Sequence, residues 1–552
     1  MMKRYMQILV VFLCVCAVNG AIISEASAQG VVKKKLIELG WDIPTTSYLR
    51  EHWQEMESNA PFDGVVYDLT GRSAAGEKRS SQRLFSAERW EREEFRDCIT
   101  DLRACEFVRY RHNFIRVNFY PAGFAWTDDE AWGNVCNNVG ICAWVAKETG
   151  GELCFDFESY GAQMFRYDST SGLSFDETRA IVRKRGAEFA GAAFEEKHDL
   201  VILCLWMNSI NYQSARMTNP TLALRVAPYG LLPAFIDGML DAAPLTAKLV
   251  EGCENGYYMN GREEYYRSSL DAKLDSGPAM RLVSLENRAK YRLLVSSGFG
   301  FYLDMYSNPE GSAFYRGAEP GETRFDRLRA NLQAAFDSSD EYVWIYGEQK
   351  RWWGPDNGSA WTSWEEALPG IANLIFELSD PLSAAQALKE KYSNLADGVN
   401  EIVNGDFSQV DESANTAESW LTWRDERSHG VFQVQKGALT IKGDVNACYI
   451  QSFPVKPGER YLVSGRISVD GDGGGALVVR WQDSDGHWVS ESQDVRIYPE
   501  ETSSCDADGF RKALDVVKTP SNAGKLVVLL SANSCQPDER VVFKDIEAFH
   551  VD

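Results

Sequence analysis

Histidine is scarce in this 552-residue chain: there are six, at positions 52, 112, 198, 429, 487 and 550, and none forms a helical pair. Cys-x-x-Cys does not occur, so neither a zinc nor a copper centre is expected. No other cofactor is called for by any motif. The first strand-like run ends in Gly40-Trp-Asp-Ile-Pro44 and not in the Gly-x-Gly-x-x-Gly turn that cradles a dinucleotide. Ser209 and Ser297 lack the Gly-x-Ser-x-Gly setting of an esterase nucleophile. Basic residues are in deficit, 57 against 80 acidic ones, for a net charge of −23. That excess argues against nucleic acid or an anionic membrane as partner. It also disfavours a polyanionic substrate, unless a local basic patch overrides the mean. After residue 18 no apolar run is long enough to span a bilayer.

At the N-terminus, Met1-Met-Lys-Arg supplies a positive region, Ile8 to Val18 an apolar one, and Ala26-Ser-Ala28 a small-residue cleavage site. Residues 1–28 therefore read as a signal peptide, and the mature chain as secreted or periplasmic, with no membrane partner after cleavage. Export permits disulfides. Of the twelve cysteines, Cys98 with Cys105 and Cys505 with Cys535 have spacings that allow a bond, whereas Cys154, Cys204 and Cys253 sit in strand-like runs as small core residues.

From about residue 35 the chain alternates strand and helix patterns. Strands are predicted at Leu36 to Asp42, Phe62 to Asp68, Asn113 to Tyr120, Glu152 to Glu158, Leu200 to Trp206, Lys248 to Glu254, Leu294 to Asp304 and Tyr342 to Glu348. Helices fall between them, among them Ala87 to Val108, Asp128 to Thr149, Ser174 to Glu196 and Arg324 to Phe336; Trp364 to Leu378 and Pro381 to Asn394 close the set. Eight alternations predict a (β/α)8 TIM barrel over residues 29–396, with a doubly wound open sheet as the alternative. Past residue 397 short alternating strands and turns predict an all-β jelly-roll sandwich through residue 552.

Carboxylates with aromatic neighbours stand at the ends of these strands. Asp156 and Glu158 alternate, so both point the same way, and mutual repulsion raises one pKa. Glycosidic cleavage needs such a pair, one acid protonated and its partner ionised. Glu158 is the expected general acid/base, Asp156 its tuner, and Glu254 or Asp304 the nucleophile or water-activating base. Substrate contacts are expected from Trp41, Asp42, Asp68, Asn118, Tyr160, Glu251, Tyr257, Tyr302, Glu348, Trp352 and Trp353, since Trp and Tyr stack on the apolar faces of sugar rings.

The Asp156-Phe-Glu158 ending of the fourth strand resembles the end of the chitinase-type motif, in which the Glu is the acid; the two earlier aspartates of that motif are Gly151 and Cys154 here. More widely, residues 34 to 355 resemble secreted glycoside-hydrolase-like TIM-barrel proteins of polysaccharide-degrading bacteria. The tail opening Val403-Asn-Gly-Asp-Phe407, followed by Trp420 and Trp423, is similar to the start of jelly-roll carbohydrate-binding modules. Trp481 and Trp488 are further stacking candidates. These resemblances imply a hydrolase of O-glycosyl bonds with a carbohydrate partner. The competing expectations are a barrel that binds glycan without chemistry and a lyase, which would need basic groups to neutralise a uronic carboxylate.

Overall fold

A computed structural model describes residues 34–355, 358–393, 398–411, 413, 415–435, 437–499 and 505–551. The expected signal peptide lies outside the described residues. The chain divides into two compact units after Ser379.

Nine parallel strands form the first unit's sheet: β1 Lys35–Glu38, β2 Gly64–Tyr67, β3 Phe114–Asn118, β4 Glu152–Asp156, β5 Val201–Cys204, β6 Lys248–Glu251, β7 Val295–Ser297, β8 Phe299–Tyr302 and β9 Tyr342–Tyr346. They lie in the order β8-β9-β1-β2-β3-β4-β5-β6-β7. The two ends of that order, β7 and β8, follow one another in the chain and flank Gly298, so the sheet is a nearly closed barrel. One continuous strand was expected there. The residue at the break has no room for a side chain: a Cβ on Gly298 would stand 2.8 Å from Tyr342 O and 3.0 Å from Val250 Cγ1.

Helices cover the barrel, and their ends follow local chemistry. Asp128 Oδ1 accepts from Ala131 N at 3.0 Å to start Asp129–Thr149, and Gly150 stops it in the left-handed region (φ +74°). Ser174 and Glu177 form a reciprocal capping box at the start of Phe175–Glu196. That helix crosses Leu232–Ala242 at close range: a Cβ on Gly186 would meet Phe235 O at 2.1 Å, and one on Gly238 would meet Arg183 O at 2.0 Å. The long helix expected over Ala87 to Val108 is instead a short turn, Arg92–Phe95, and a helix of two turns, Arg96–Arg103. Trp90 is buried, with its N–H donating to Asn138 Oδ1 at 2.9 Å, and this docking pins the preceding residues outside helical geometry. At the opposite end from the β-strand C-termini, the Glu341 carboxylate is paired with both Lys35 and Lys248, tying the starts of β1, β6 and β9 together.

Two five-stranded antiparallel sheets make up the second unit. One is built from Leu421–Arg424, Asn446–Pro454, Lys525–Asn533, Gly474–Gln482 and Val495–Ile497. The other is built from Val431–Gln435, Ala438–Lys442, Arg540–Val551, Arg460–Asp470 and Arg511–Lys518. Trp420, Trp481, Tyr449 and Phe543 fill the core between them. The helix Pro381–Ser393, expected to close the barrel, belongs to this unit: Ala385 and Tyr392 pack with Leu462, Leu514 and Phe549. The cysteine pairings considered from spacing are not formed. Cys98 and Cys105 are thiols lying near Thr70 O (3.3 Å) and Asp101 O (3.4 Å), and Cys505 and Cys535 are unpaired as well.

Candidate functional site

The C-terminal ends of the barrel strands open on a cavity of about 550 Å³. Strand alternation sets its floor. Arg116 and Asn118 on β3, and Cys154 and Asp156 on β4, point inward and line it. Asp156 is buried, and three donors converge on its carboxylate: Asn118 Nδ2 at 3.0 Å, Tyr160 Oη at 2.8 Å and Glu158 N at 2.8 Å. Burial is the larger influence and pushes its pKa up to about 6.

Glu254 lies within electrostatic reach of this group. β6 ends at Glu251, and Cys253 adopts a left-handed conformation (φ +42°) that starts the turn Glu254–Tyr258. A non-glycine residue in that region is strained, and such strain collects where a site demands it. Glu254 Oε2 is buried without a hydrogen-bond partner. Burial, reinforced by the charges of Asp156 and Glu158, pushes its pKa up to about 8. The structure thus brings Asp156, Glu158 and Glu254 within electrostatic reach of one another, and it is Glu254, expected as nucleophile or base, whose pKa is raised to about 8.

An aromatic wall flanks the acids. Tyr257 stacks on Tyr346 with ring centroids 5.6 Å apart and planes 12° apart, and Tyr302 packs against both at 5.2 and 5.4 Å. Gly300 makes room for this group, because a Cβ there would lie 2.6 Å from the Trp344 ring. Tyr346 Oη accepts from Trp41 Nε1 at 2.9 Å and donates to Glu348 at 3.2 Å. Trp41, 63% exposed, and Tyr160, 55% exposed, present free ring surface at the rim.

Other residues expected at the site are held elsewhere. Glu251 is 1% exposed, and its oxygens are taken up by Met207 N (2.8 Å), Ser209 N (3.0 Å) and Ser209 Oγ (2.7 Å). Asp304 is fully buried and accepts from Glu348 N at 2.7 Å, with Lys350 Nζ at 3.4 Å. The strand alternation that would have carried it inward ends at Tyr302, since Leu303 is already helical (φ −66°, ψ −35°). Asp42 is buried against Glu38, accepts from Trp352 N at 2.7 Å and, through its carbonyl, from Trp353 Nε1 at 2.7 Å. Burial and the neighbouring Asp42 push the Glu38 carboxyl well up. Trp352 and Trp353 are buried behind it and offer no face to a ligand. Asp68 forms a two-pronged ion pair with Arg116, at 2.8 and 2.6 Å.

Arg116, Arg83 and Glu38 are not among the residues expected at the site. Arg116 was within reach, because it stands two residues before Asn118 on an alternating strand. Among the described residues one cluster of metal-ligand type occurs, Asp483, Asp485 and His487, and Asp483 Oδ1 is already taken by the N–H groups of the other two. No helix among the described residues is long and apolar enough to cross a membrane.

No family model and no curated protein matches the chain. Several solved structures do. The enzymatically active domain of bacteriophage CBA120 tailspike protein 4 is 10% identical over 28% of this chain and 22% of its own, with a TM-score of 0.22. A structure described as "CBM4 structure and function" is 17% identical over 27% of this chain and 99% of its own, with a TM-score of 0.21. The CBM22-1–GH10 portion of Clostridium thermocellum endo-1,4-β-D-xylanase 10B, solved with xylohexaose, is 12% identical over 28% of this chain and 28% of its own, with a TM-score of 0.20. The chain therefore spans less than a third of the length of the tailspike and the xylanase, and likenesses this slight carry no argument about what it does.

Proposed function

We propose that the barrel hydrolyses glycosidic bonds of an oligo- or polysaccharide. The observation that carries this reading is Glu254: its Oε2 is buried without a partner, within electrostatic reach of Asp156 and Glu158, and burial with those charges pushes its pKa up to about 8. Glycosidic cleavage asks for that division between an acid and a carboxylate. Glu254 gives its proton to the leaving oxygen as the bond from C1 to that oxygen breaks. Glu158 stabilises the positive ring carbon, by attack or by activating water. Where Glu158 attacks, water then displaces it from C1 and gives its second proton to Glu254; where Glu158 activates water, Glu158 takes that proton and releases it to solvent, from which Glu254 is reprotonated. Asp156 positions Asn118, Tyr160 and the Glu158 backbone. Trp41 and Tyr160 stack on sugar rings.

With β7 and β8 taken as one strand broken at Gly298, the barrel is eight-fold. The sandwich acts as a glycan-binding module: Trp423 and Trp488 are exposed on it, while Trp420 and Trp481 belong to its core. Action outside the cytoplasm follows from the leader-like N-terminus. Incubation of wild type and Glu254→Gln with a glycan panel, followed by product analysis, tests the assignment. A drop in turnover of about a hundredfold or more is expected from losing the proton donor. Full activity in the variant would sink it, and ligand binding without product across the panel would replace it with a non-catalytic glycan binder.

A further inference from the structure

The cavity wall holds a cation that no acid among the described residues pairs with. Arg83 ends the turn Ser81–Arg83, is exposed, and lines the cavity beside Gln82. Its guanidinium lies over the Tyr120 ring, 5.0 Å from the centroid, and Nη1 donates to Tyr120 Oη at 3.3 Å. Among the described residues no carboxylate forms an ion pair with it. Its neighbours behave differently. Arg116, deeper in the same cavity, is closed by Asp68 at 2.8 and 2.6 Å. Arg79, four residues earlier, is paired with Glu77, Glu88 and Glu94. Other arginines also lack an ion pair, Arg166 and Arg351 among them, but Arg83 lacks one in the cavity that Asp156 and Trp41 line. The planar fork of a guanidinium fits a carboxylate or sulfate in a two-pronged way, and stacking on Tyr120 fixes its plane beforehand.

We infer that the sugar bound in this cavity carries an anionic group, a uronate carboxylate or a sulfate ester, which Arg83 engages at the rim. This rests on reading the cavity as a sugar site and names its substrate class. The acids do not forbid it. Asp156 lies buried at the floor with three donors around it, and Asp68 is already matched by Arg116. The rim and the floor therefore differ in sign, which orients an acidic sugar with its anion outward and its neutral face toward the strand ends. The overall charge of −23 speaks against polyanions in general; a single rim cation serves a ligand with sparse charge.

Calorimetric titration of the full chain with uronic-acid oligosaccharides, sulfated oligosaccharides and their carboxyl-reduced or desulfated counterparts tests the inference without any need for turnover. One acidic set should bind about tenfold more tightly than its neutral counterpart, the size of a charge-assisted contact, and should weaken with salt. Which set does so tells carboxylate from sulfate. Arg83→Ala should erase the preference and leave neutral sugars within about twofold, while Arg83→Lys keeps part of it. Equal affinity for charged and neutral probes, or a preference that survives Arg83→Ala, overturns the inference while the sugar site stands. Failure of every probe to bind overturns both.

Discussion

Three influences meet on Glu254: burial, the charges of Asp156 and Glu158, and an oxygen with no donor. Burial and the two charges raise its pKa, and no donor offsets them, so the group is protonated below about 8, while Asp156 is ionised above about 6. The profile of kcat/KM against pH should therefore be bell-shaped, rising through about 6 and falling through about 8. A profile flat through pH 8 would show that Glu254 donates no proton. Stability should move with the same group. Its folded pKa of about 8 stands above the ordinary carboxylate value near ~4.3. The stability it contributes is full below that lower value and is lost as pH rises through the upper one. Glu254→Gln has no such dependence, so its melting temperature relative to wild type should climb between about pH 5 and pH 9, read by calorimetry. The pairing of Asp156 with Glu158 was legible, because period-two alternation places them on one face. Which acid keeps the proton was not: Glu254 follows β6 while Asp156 ends β4 and Glu158 follows it, and only the folded barrel brings them within reach of one another.

Glu251 and Asp304 show why strand-end acids are ambiguous one at a time. Both follow apolar runs, yet each carboxylate holds a neighbouring loop by its backbone N–H groups. Removing Glu251 leaves those donors unmet. Glu251→Ala should lose about 3 kcal/mol of stability, as expected for hydrogen bonds to a charged group, measured by urea unfolding; unchanged stability would show that water replaces the carboxylate freely. The crossing of Phe175–Glu196 on Leu232–Ala242 invites a sharper comparison. Gly238→Ala places a methyl 2.0 Å from Arg183 O, a backbone atom, whereas a Cβ on Gly191 meets nothing closer than 3.8 Å. Gly238→Ala should cost about 3 kcal/mol through overpacking, and Gly191→Ala should be neutral or gain up to ~1 kcal/mol from helix propensity. Similar values at both positions would mean that the helices are free to part. The helices themselves were legible from capping residues such as Ser174 with Glu177. Their spacing was not, since a glycine inside a helix reads in sequence as mere weakness.

The switch from α/β to all-β patterning was legible from the loss of helical periodicity past residue 397, but the division falls after Ser379, earlier than that pattern. Pro381–Ser393 is amphipathic, and an apolar face does not say which core will cover it. The cores are separate: one cluster runs from Leu36 to Ile375, and those of the second unit from Ala385 to Val551. A chain ending at Ser379 should therefore fold and turn over short oligosaccharides within about twofold of the full protein, while adhesion to polymer falls because the second contact is gone. Pull-down on insoluble polysaccharide and oligosaccharide kinetics check this. Loss of oligosaccharide turnover in a well-folded barrel would assign part of the chemistry to the sandwich.

Glu341 gives the barrel an order in time. It holds Lys35, which precedes it by 306 residues, and β9 immediately after it is the strand that covers the open edge of β1. During synthesis β1 leaves the ribosome first and pairs with β2, yet its other edge has no partner until almost the whole unit has emerged. Contacts of such sequence separation form late, because the loop must be closed before they return any free energy. Closure of the barrel is thus coupled to completion of its last strand, and the nascent chain carries one unpaired edge for most of its elongation.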